Sequence, residues 1–276
     1  MINRTLPPSA GAAVSRFENI GSVRNRGIEA QIEATIVQSS QFSWDVNLSG
    51  SYNQNKIVSL GGTPPNRGTT TSDIEGYPIQ GWWLRPYSYQ DTNGDGIISL
   101  SELTVGDTAE YKGPSLPPAE LTGATGVELL GRRLRVQLAV DAWLGGYQLN
   151  GTERIRCQNR LNCRGDVDPA APLWEQARAM AVRVHSSNTQ WGYVEKSDFL
   201  RFRELSLTFT LPDQVARWMN AKRVSLTASG RNLKLITGYS GADPQTGYFG
   251  TDIGVQSDFQ AVPPPTYYIL RLNITF

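Results

Sequence analysis

The clearest chemical pattern in the sequence is the run Asp91 to Glu102, which reads DTNGDGIISLSE. It matches the calcium-loop pattern D-x-[DN]-x-[DN]-G-x5-E throughout, with Gly96 at the sharp turn and Glu102 placed to bind through both carboxylate oxygens. Hard oxygen ligands of this kind favour Ca²⁺. The predicted ligands are Asp91, Asn93, Asp95, Ile97 through its carbonyl, Ser99 and Glu102. The alternative is a turn rich in Asp, Asn and Gly that binds nothing.

A second group of residues could recognise a ligand through aromatic rings. Such rings stack on sugars and other flat molecules, but they also pack loops together or line the interface of a membrane. The predicted ligand-binding aromatics are Trp82, Trp83, Tyr87, Tyr89 and Tyr248. Both alternatives, loop packing and an interfacial girdle, stay open at this point.

The two cysteines of the chain, Cys157 and Cys163, lie close together in an arginine-rich stretch. They are too few for a structural zinc site, which takes four ligands. We predict a small loop closed by a disulfide, formed in an oxidising compartment. Two free thiols are the alternative.

Enzymatic chemistry has no candidate residues in this sequence. The single histidine, His185, has no motif around it and is interpreted as a surface or loop residue. No G-x-S-x-G, H-E-x-x-H or phosphate-loop motif is present. Charge is nearly balanced, with 26 basic and 25 acidic residues, so composition gives no reason to expect a nucleic-acid partner. We therefore predict a protein that is not an enzyme.

The last residues of the chain, 266–276, form the most informative predicted strand. Tyr268, Leu270, Leu272, Ile274 and Phe276 fall on one face, because side chains alternate along a strand. About ten residues with one apolar face, ending on an aromatic, are typical of a transmembrane β-barrel strand. An ordinary strand at the end of a soluble β-domain is the alternative.

Similar alternation predicts six further strands, and they are separated by connections that are short and long in turn. The long connections span about 59–118, 150–197 and 237–265, and a short helix is predicted near 172–184. Short turns on one side and long loops on the other are typical of an outer-membrane barrel. The predicted strands cover 19–38, 42–52, 121–130, 133–149, 205–211, 224–229 and 266–276.

This count predicts part of a larger barrel, because closed single-chain bacterial barrels have an even number of strands. On this interpretation residues 1–276 are one barrel portion without a plug domain, and the aromatic excursion around residues 76–90 is wholly external. The first residues lack the apolar core of a signal peptide, so the chain is expected to be a fragment or soluble. No apolar run is long enough for a membrane helix.

Several blocks together resemble the C-terminal third of SusC/RagA-like TonB-dependent outer-membrane transporters. Their order and spacing cover nearly the whole chain. The blocks are 19–29 (NIGSVRNRGIE), 89–96 (YQDTNGDG), 198–207 (DFLRFRELSL), 230–233 (GRNL) and the closing Phe276.

The resemblance implies an all-β, antiparallel, 22-stranded transmembrane barrel around an N-terminal plug, located in the cell outer membrane. It implies import of a glycan, peptide or similar extracellular nutrient, with lipid, the TonB complex and a SusD-like lipoprotein as partners. The alternatives are a siderophore receptor or porin barrel, and a soluble secreted β-sandwich that is stabilised by calcium and used in adhesion. Detergent dependence would separate the barrel from the sandwich.

Overall fold

The computed structural model describes residues 2–5, 9, 15–19, 21–183, 188–247 and 257–276, and most of them lie in antiparallel strands. In chain order the strands are β1 Ile2–Thr5, β2 Ser15–Glu18, β3 Ser22–Gln38, β4 Ser43–Ser59, β5 Asn66–Arg67, β6 Thr71–Asp73, β7 Gly81–Leu84, β8 Tyr87–Tyr89, β9 Leu103–Val105, β10 Glu110–Gly113, β11 Ala119–Leu129, β12 Leu134–Leu144, β13 Tyr147–Asn150, β14 Val194–Lys196, β15 Phe199–Thr210, β16 Arg223–Thr237, β17 Ser257–Asp258 and β18 Tyr267–Thr275.

Helical segments are short and lie outside the main sheet. The α-helices are α1 Gly151–Ile155, α2 Arg164–Val167, α3 Leu173–Arg183 and α4 Asp213–Trp218; a π-helical turn spans Arg156–Arg160, and 3₁₀ turns span Leu100–Glu102 and Trp191–Tyr193. Helix α3 confirms the predicted helix over the part that the structure describes. None of the described helices has the length and apolar character needed to cross a membrane.

Seven strands form one antiparallel sheet in the order β18-β16-β15-β12-β11-β4-β3. Each strand pairs with the next main strand of the chain, as expected when neighbours are joined by turns or excursions. The prediction of seven strands is confirmed. Strand β4 extends to Ser59, beyond the predicted end, because the polar residues Asn53 to Lys56 continue the hydrogen-bonded ladder with β3. Apolar alternation could not reveal that extension.

The two faces of this sheet differ sharply. We call outer face the side that carries one cross-strand row through all seven strands: Ala34, Val46, Thr125, Leu138, Leu205, Gly230 and Tyr268. Apolar side chains on this face are open, with Ile28 71% and Leu270 73% exposed. The opposite side, the inner face, carries Thr35, Asp45 and Gln137 in the neighbouring row.

No second sheet covers the outer face within the described ranges of the chain. Two of the buried apolar clusters lie in the long connections, and the third surrounds α4 beside Val224. A soluble sandwich buries one face of each sheet against the other. An uncovered apolar face on a single layer is the arrangement of a wall that faces lipid.

Long connections lie between strands at one end of the sheet, at 60–118, 145–198 and 238–266. They fold into three small sheets, with strand orders β10-β7-β6-β5, β14-β13-β17 and β8-β9. The aromatic excursion therefore stays outside the seven-stranded sheet, as predicted. The parallel pairing of β13 with β17 joins the second connection to the third.

Candidate functional site

The predicted calcium loop connects β8 to β9, which pair as a hairpin. The Asp91 carboxylate accepts hydrogen bonds from the main-chain N–H groups of Gly94 (2.7 Å) and Gly96 (3.0 Å). Gly94 and Gly96 adopt φ of 72° and 78°, a left-handed conformation that glycine takes at no steric cost. Asp91 and the glycines thus set the turn together.

Glu102 closes the same loop from its other end. Its Oε1 accepts hydrogen bonds from the N–H and hydroxyl of Thr92, both 2.8 Å, and its Oε2 accepts from the N–H (2.9 Å) and hydroxyl (2.7 Å) of Ser99. The Ser99 N–H, followed by the other three donors, lowers the pKa of Glu102 from 4.5 to about 2. This carboxylate is therefore charged at neutral pH and holds the loop closed through the loop's own donors.

The side-chain chemistry of this loop fits calcium, but the carboxylates are not gathered around one point. In the described part of the chain, one group of three acidic, histidine or cysteine side chains has all ligand atoms within 4.8 Å, and it is Glu153, Cys157 and Cys163. Its cysteines are disulfide-bonded, so their sulfurs are not free to ligate a metal. For the loop 91–102 to bind calcium, Glu102 would have to exchange its hydrogen bonds for the ion.

Gln176 of α3 fixes the loop 91–102 to the second long connection. Its amide nitrogen donates to the carbonyls of Gly96 (3.0 Å) and Ala171 (2.8 Å), and its amide oxygen accepts from the N–H of Ile98 (3.0 Å). Ile98 itself is buried in a cluster with Leu103 and two alanines of α3. Sequence reasoning missed Gln176, because a glutamine on a short helix carries no motif.

The predicted ligand-binding aromatics occupy different environments. Trp82 is fully buried and its indole N–H donates to the carbonyl of Tyr147 (2.9 Å), so its ring faces are covered by protein. Trp83 is half-buried in a ring cluster with Tyr77 and Tyr111, with centroids 4.8 to 5.4 Å apart. The structure therefore does not bring these residues together as one aromatic platform.

The predicted ligand-binding tyrosines also lie in different environments. Tyr87 packs beside the cluster of Ile98 and Leu103, and burial raises its pKa to about 12. Tyr89 is exposed, two residues before Asp91. Tyr248 and His185 lie outside the described residues.

Cys157 and Cys163 are joined by a disulfide, with their Cα atoms 5.0 Å apart. Both are buried in the cluster that contains Trp82, Leu149 and Tyr193. The cross-link therefore lies in the core of the second long connection, where it ties the π-helical turn to the start of α2 and lies in one cluster with Ala179 and Val182 of α3.

Ion pairs cross the inner face of the main sheet. Arg135 of β12 binds Asp45 of β4 in a bidentate pair, at 2.8 and 3.0 Å, by reaching over the intervening strand β11. The residue beneath the guanidinium is Gly126, and a Cβ there would come within 2.3 Å of an Arg135 nitrogen. A glycine at this position therefore permits the pair.

A buried pair ties the third long connection to the inner face. Arg201 of β15 meets Asp243 at 2.6 Å, and both side chains are almost fully buried, 3% and 4% exposed. Beside it, Arg203 binds both carboxylate oxygens of Asp141 (2.8 and 2.6 Å) and the side-chain oxygen of Gln245 (2.8 Å). These contacts hold residues 243–245 against the sheet.

Comparison with known proteins shows what this architecture is similar to. No family model matches the chain. Three curated relatives from Formosa agariphila match it: TonB-dependent receptor P26, 26% identical over all of this chain, P3, 26% identical over 99% of it, and P39, 22% identical over all of it. The chain spans 30–32% of the length of these relatives.

Solved structures give the same result for the fold. The RagAB peptide transporter matches 99% of this chain, and 31% of its own chain, with a TM-score of 0.72 at 18% identity. The RagAB peptide importer in its open-open state matches all of this chain, and 31% of its own chain, with a TM-score of 0.73 at 19% identity. This chain resembles a TonB-dependent transporter of the SusC/RagA type.

Among the described residues, one part of the inner face of the seven-stranded sheet has no ion pair. Glu29 of β3, Ser51 of β4 and Glu120 of β11 occupy one cross-strand row. Neither glutamate forms an ion pair or hydrogen bond with any residue of the described ranges. Sequence alternation places Glu29 on the polar side of β3, but it cannot reveal that Glu120 lies in the same row.

Both glutamates line a cavity of about 980 Å³ between the seven-stranded sheet and the first long connection. We call roof the side of the cavity formed by Ile79, Tyr111 and segment 114–118 of the first long connection. The amide of Asn55 fixes this roof, since it donates to Asn25 (2.6 Å) and accepts from the N–H of Ile79 (2.9 Å). The cavity combines acidic side chains of the strands with Tyr111 and the proline-rich segment 114–118 of the loop.

Proposed function

We propose that this chain forms barrel wall and part of the external ligand mouth of a TonB-dependent importer in the cell outer membrane. The observation that carries the proposal is the similarity to TonB-dependent receptors along the whole chain. The uncovered apolar outer face supports contact with lipid, and the charged inner face supports passage of a polar ligand. The long connections, folded as small sheets, would surround the entrance.

In the complete protein, a ligand would be captured outside and moved inward at the expense of energy from the TonB complex. Transport of this kind needs binding and conformational change, and no covalent catalysis. The solved structures of similar fold are named as a peptide transporter, which favours peptides as the first nutrient class to assay and glycans as the second. A SusD-like lipoprotein would cover the external mouth.

Nutrient uptake by a deletion strain tests the proposal. Cells lacking the full-length protein are given defined oligopeptide and oligosaccharide mixtures, and depletion of each component is followed by mass spectrometry. We expect some components to remain unused in the deletion strain and to be used again after complementation, with uptake abolished by a protonophore. Uptake that resists the protonophore would indicate a porin, and uptake of ferric chelates alone a siderophore receptor.

Fractionation of the same cells tests the location. The full-length protein is expected in the outer-membrane fraction and to need detergent for solubility. A monomer released without detergent would contradict the barrel and support the secreted sandwich.

We also propose that Asp91 to Glu102 binds one calcium ion as a structural clasp. The motif and its hard oxygen donors support a weak site of the external type, with Kd of about 10⁻⁴ to 10⁻³ M. Because Gln176 links the loop to α3, binding would stiffen both long connections. Isothermal titration of the full-length protein should give calcium heat that Asp95→Ala removes; equal heat in parent and variant would refute this site.

The disulfide is proposed to persist in the protein as it occurs in the cell, because an external loop lies in an oxidising compartment. Peptide mapping of unreduced protein should give a linked peptide that contains Cys157 and Cys163. Two alkylatable thiols in protein taken directly from the outer membrane would contradict it.

A further inference from the structure

We propose that the cavity above the Glu29–Ser51–Glu120 row is a recognition site for a ligand that carries an ammonium or guanidinium group. The inference deepens the proposed import function, on which it rests, by naming the chemical class of the ligand. It depends on three features of the cavity: its unpaired carboxylates, a buried hydroxyl that has no hydrogen-bond partner among the described residues, and a rigid roof.

The first feature is the spacing of the carboxylates of Glu29 and Glu120. Neighbouring strands lie about 4.8 Å apart, so the backbones of Glu29 and Glu120 are about 10 Å apart, with Ser51 between them. One cation seated above Ser51 can therefore approach both carboxylates. Bringing a neutral or anionic ligand into the same space would remove water from two negative charges without compensation. The row accordingly favours cationic ligands and disfavours anionic ones.

Ser115 supplies an independent sign of a missing partner. This residue lines the cavity and is 1% exposed, and its hydroxyl has no hydrogen-bond partner among the described residues. A buried hydroxyl without a partner is unfavourable, so such groups usually meet a ligand or ordered water. Its position in segment 114–118 places it in the loop wall of the cavity, whereas the glutamates lie in the sheet.

The roof of the cavity is held in place before any ligand arrives. The hydrogen bonds of Asn55 fix Ile79, the ring cluster of Tyr77, Trp83 and Tyr111 fixes Tyr111, and the N–H of Asn53 donates to the carbonyl of Pro118 (2.8 Å). Two contacts from β4, at Asn53 and Asn55, thus hold the loop onto the sheet, and the ring cluster braces the loop internally. Such preorganisation reduces the ordering cost of binding.

The test uses full-length protein in detergent and calorimetry with paired probes. One pair is an N-acetylated, C-amidated pentapeptide with central lysine and the same peptide with Nε-acetyl-lysine. The other pair is a glucosamine oligosaccharide and its N-acetylated form, so that the two arms separate a peptide source of the cation from a sugar source. In at least one pair, the cationic member should bind about tenfold more tightly or better, which corresponds to about 1.4 kcal/mol.

Variants assign that preference to the row. Glu29→Gln with Glu120→Gln should remove the preference for the cationic member, because the cationic member loses its carboxylate partners and the neutral member no longer has to desolvate two charges. Glu33→Gln is the matched control, because Glu33 lies on the same face of β3, does not line this cavity and is bound by the amide of Asn47. Ser115→Ala should weaken both members of the pair by the same factor.

Equal affinity within both pairs, a preference that survives the double variant, or no binding of any probe would overturn the site. These results are distinguishable from failure of import. If the uptake assay shows protonophore-sensitive import of neutral nutrients while the cationic preference is absent, the importer stands and the cation site falls.

Discussion

The inner face of the seven-stranded sheet has one region where charges are paired and another where the described residues leave two carboxylates unpaired. On β12, β15 and β16 charged side chains meet partners, as in Arg203–Asp141, Arg201–Asp243 and Arg231–Glu204. On β3 and β11, Glu29 and Glu120 have none among the described residues and face a cavity. The difference teaches that paired charges hold loops and strands together, whereas unpaired charges on the same face are available to a ligand.

The largest effect is expected when one member of the most buried ion pair is removed. Asp243→Ala leaves the Arg201 guanidinium buried without compensation, which typically costs about 3–5 kcal/mol. We expect residues 243–245 to leave the sheet and become sensitive to protease in the full-length protein. Replacing both partners by leucine is the control and should be far milder, since no buried charge remains. Equal protease sensitivity in the single and double variants would show that the ion pair does not hold residues 243–245 against the sheet.

A second contrast separates the inner face from the outer face. Leu138→Arg puts a charge on the lipid side of β12 and should cost about 2–4 kcal/mol near the bilayer midplane. Gln137→Arg, on the neighbouring residue of the inner face, should cost much less. Urea unfolding of the full-length protein in lipid vesicles measures both, and an equal or reversed order would contradict the assignment of the faces.

A smaller effect is expected where a glycine permits an ion pair. Gly126→Ala puts a methyl group where the Arg135 guanidinium crosses β11, so the Arg135–Asp45 pair should be lost. The pair is partly exposed, and we expect a loss of about 1 kcal/mol or less. Gly123→Ala, on the same strand but the outer face, is the matched control, because its Cβ would meet only methyl groups of Leu48 and Val140, at 3.2 and 3.3 Å, and no ion pair. An Asp45→Asn background should abolish the difference between the two alanine variants.

The smallest effect is predicted for the unpaired region. Glu29→Gln and Glu120→Gln remove charges that no partner of the described residues stabilises, so unfolding free energy should change by about 0.5 kcal/mol or less. Chemical unfolding of each variant without ligand measures this. A loss as large as that of Asp243→Ala would mean that these glutamates support the fold.

Much of the sheet could be predicted from sequence, because alternation reports directly which side of a strand is apolar. Leu134 to Leu144 and Tyr268 to Phe276 carry that signal over their whole length. Pairing register and loop folding carry no such signal. Contacts such as Arg201–Asp243, 42 residues apart in the chain, depend on where the third connection returns.

The environments of the aromatic residues could not be predicted from the sequence either. Trp82 and Trp83 are neighbours in sequence, and composition alone gives them the same interpretation. Alternation along β7 sends Trp82 into the disulfide cluster and Trp83 toward Tyr77 and Tyr111. Their different environments follow from the small sheet of the first connection, which no sequence pattern predicted.

Spin-label accessibility along β12 tests the central claim most directly, which is that this sheet spans a membrane with its outer face in lipid. Single cysteines at positions 136–140 of the full-length protein in vesicles are labelled, and collision with oxygen is compared with collision with a water-soluble nickel chelate. We predict high oxygen access at Val136, Leu138 and Val140, and high chelate access at Gln137 and Ala139. A profile without this two-residue period, or with the phase reversed, would contradict the account.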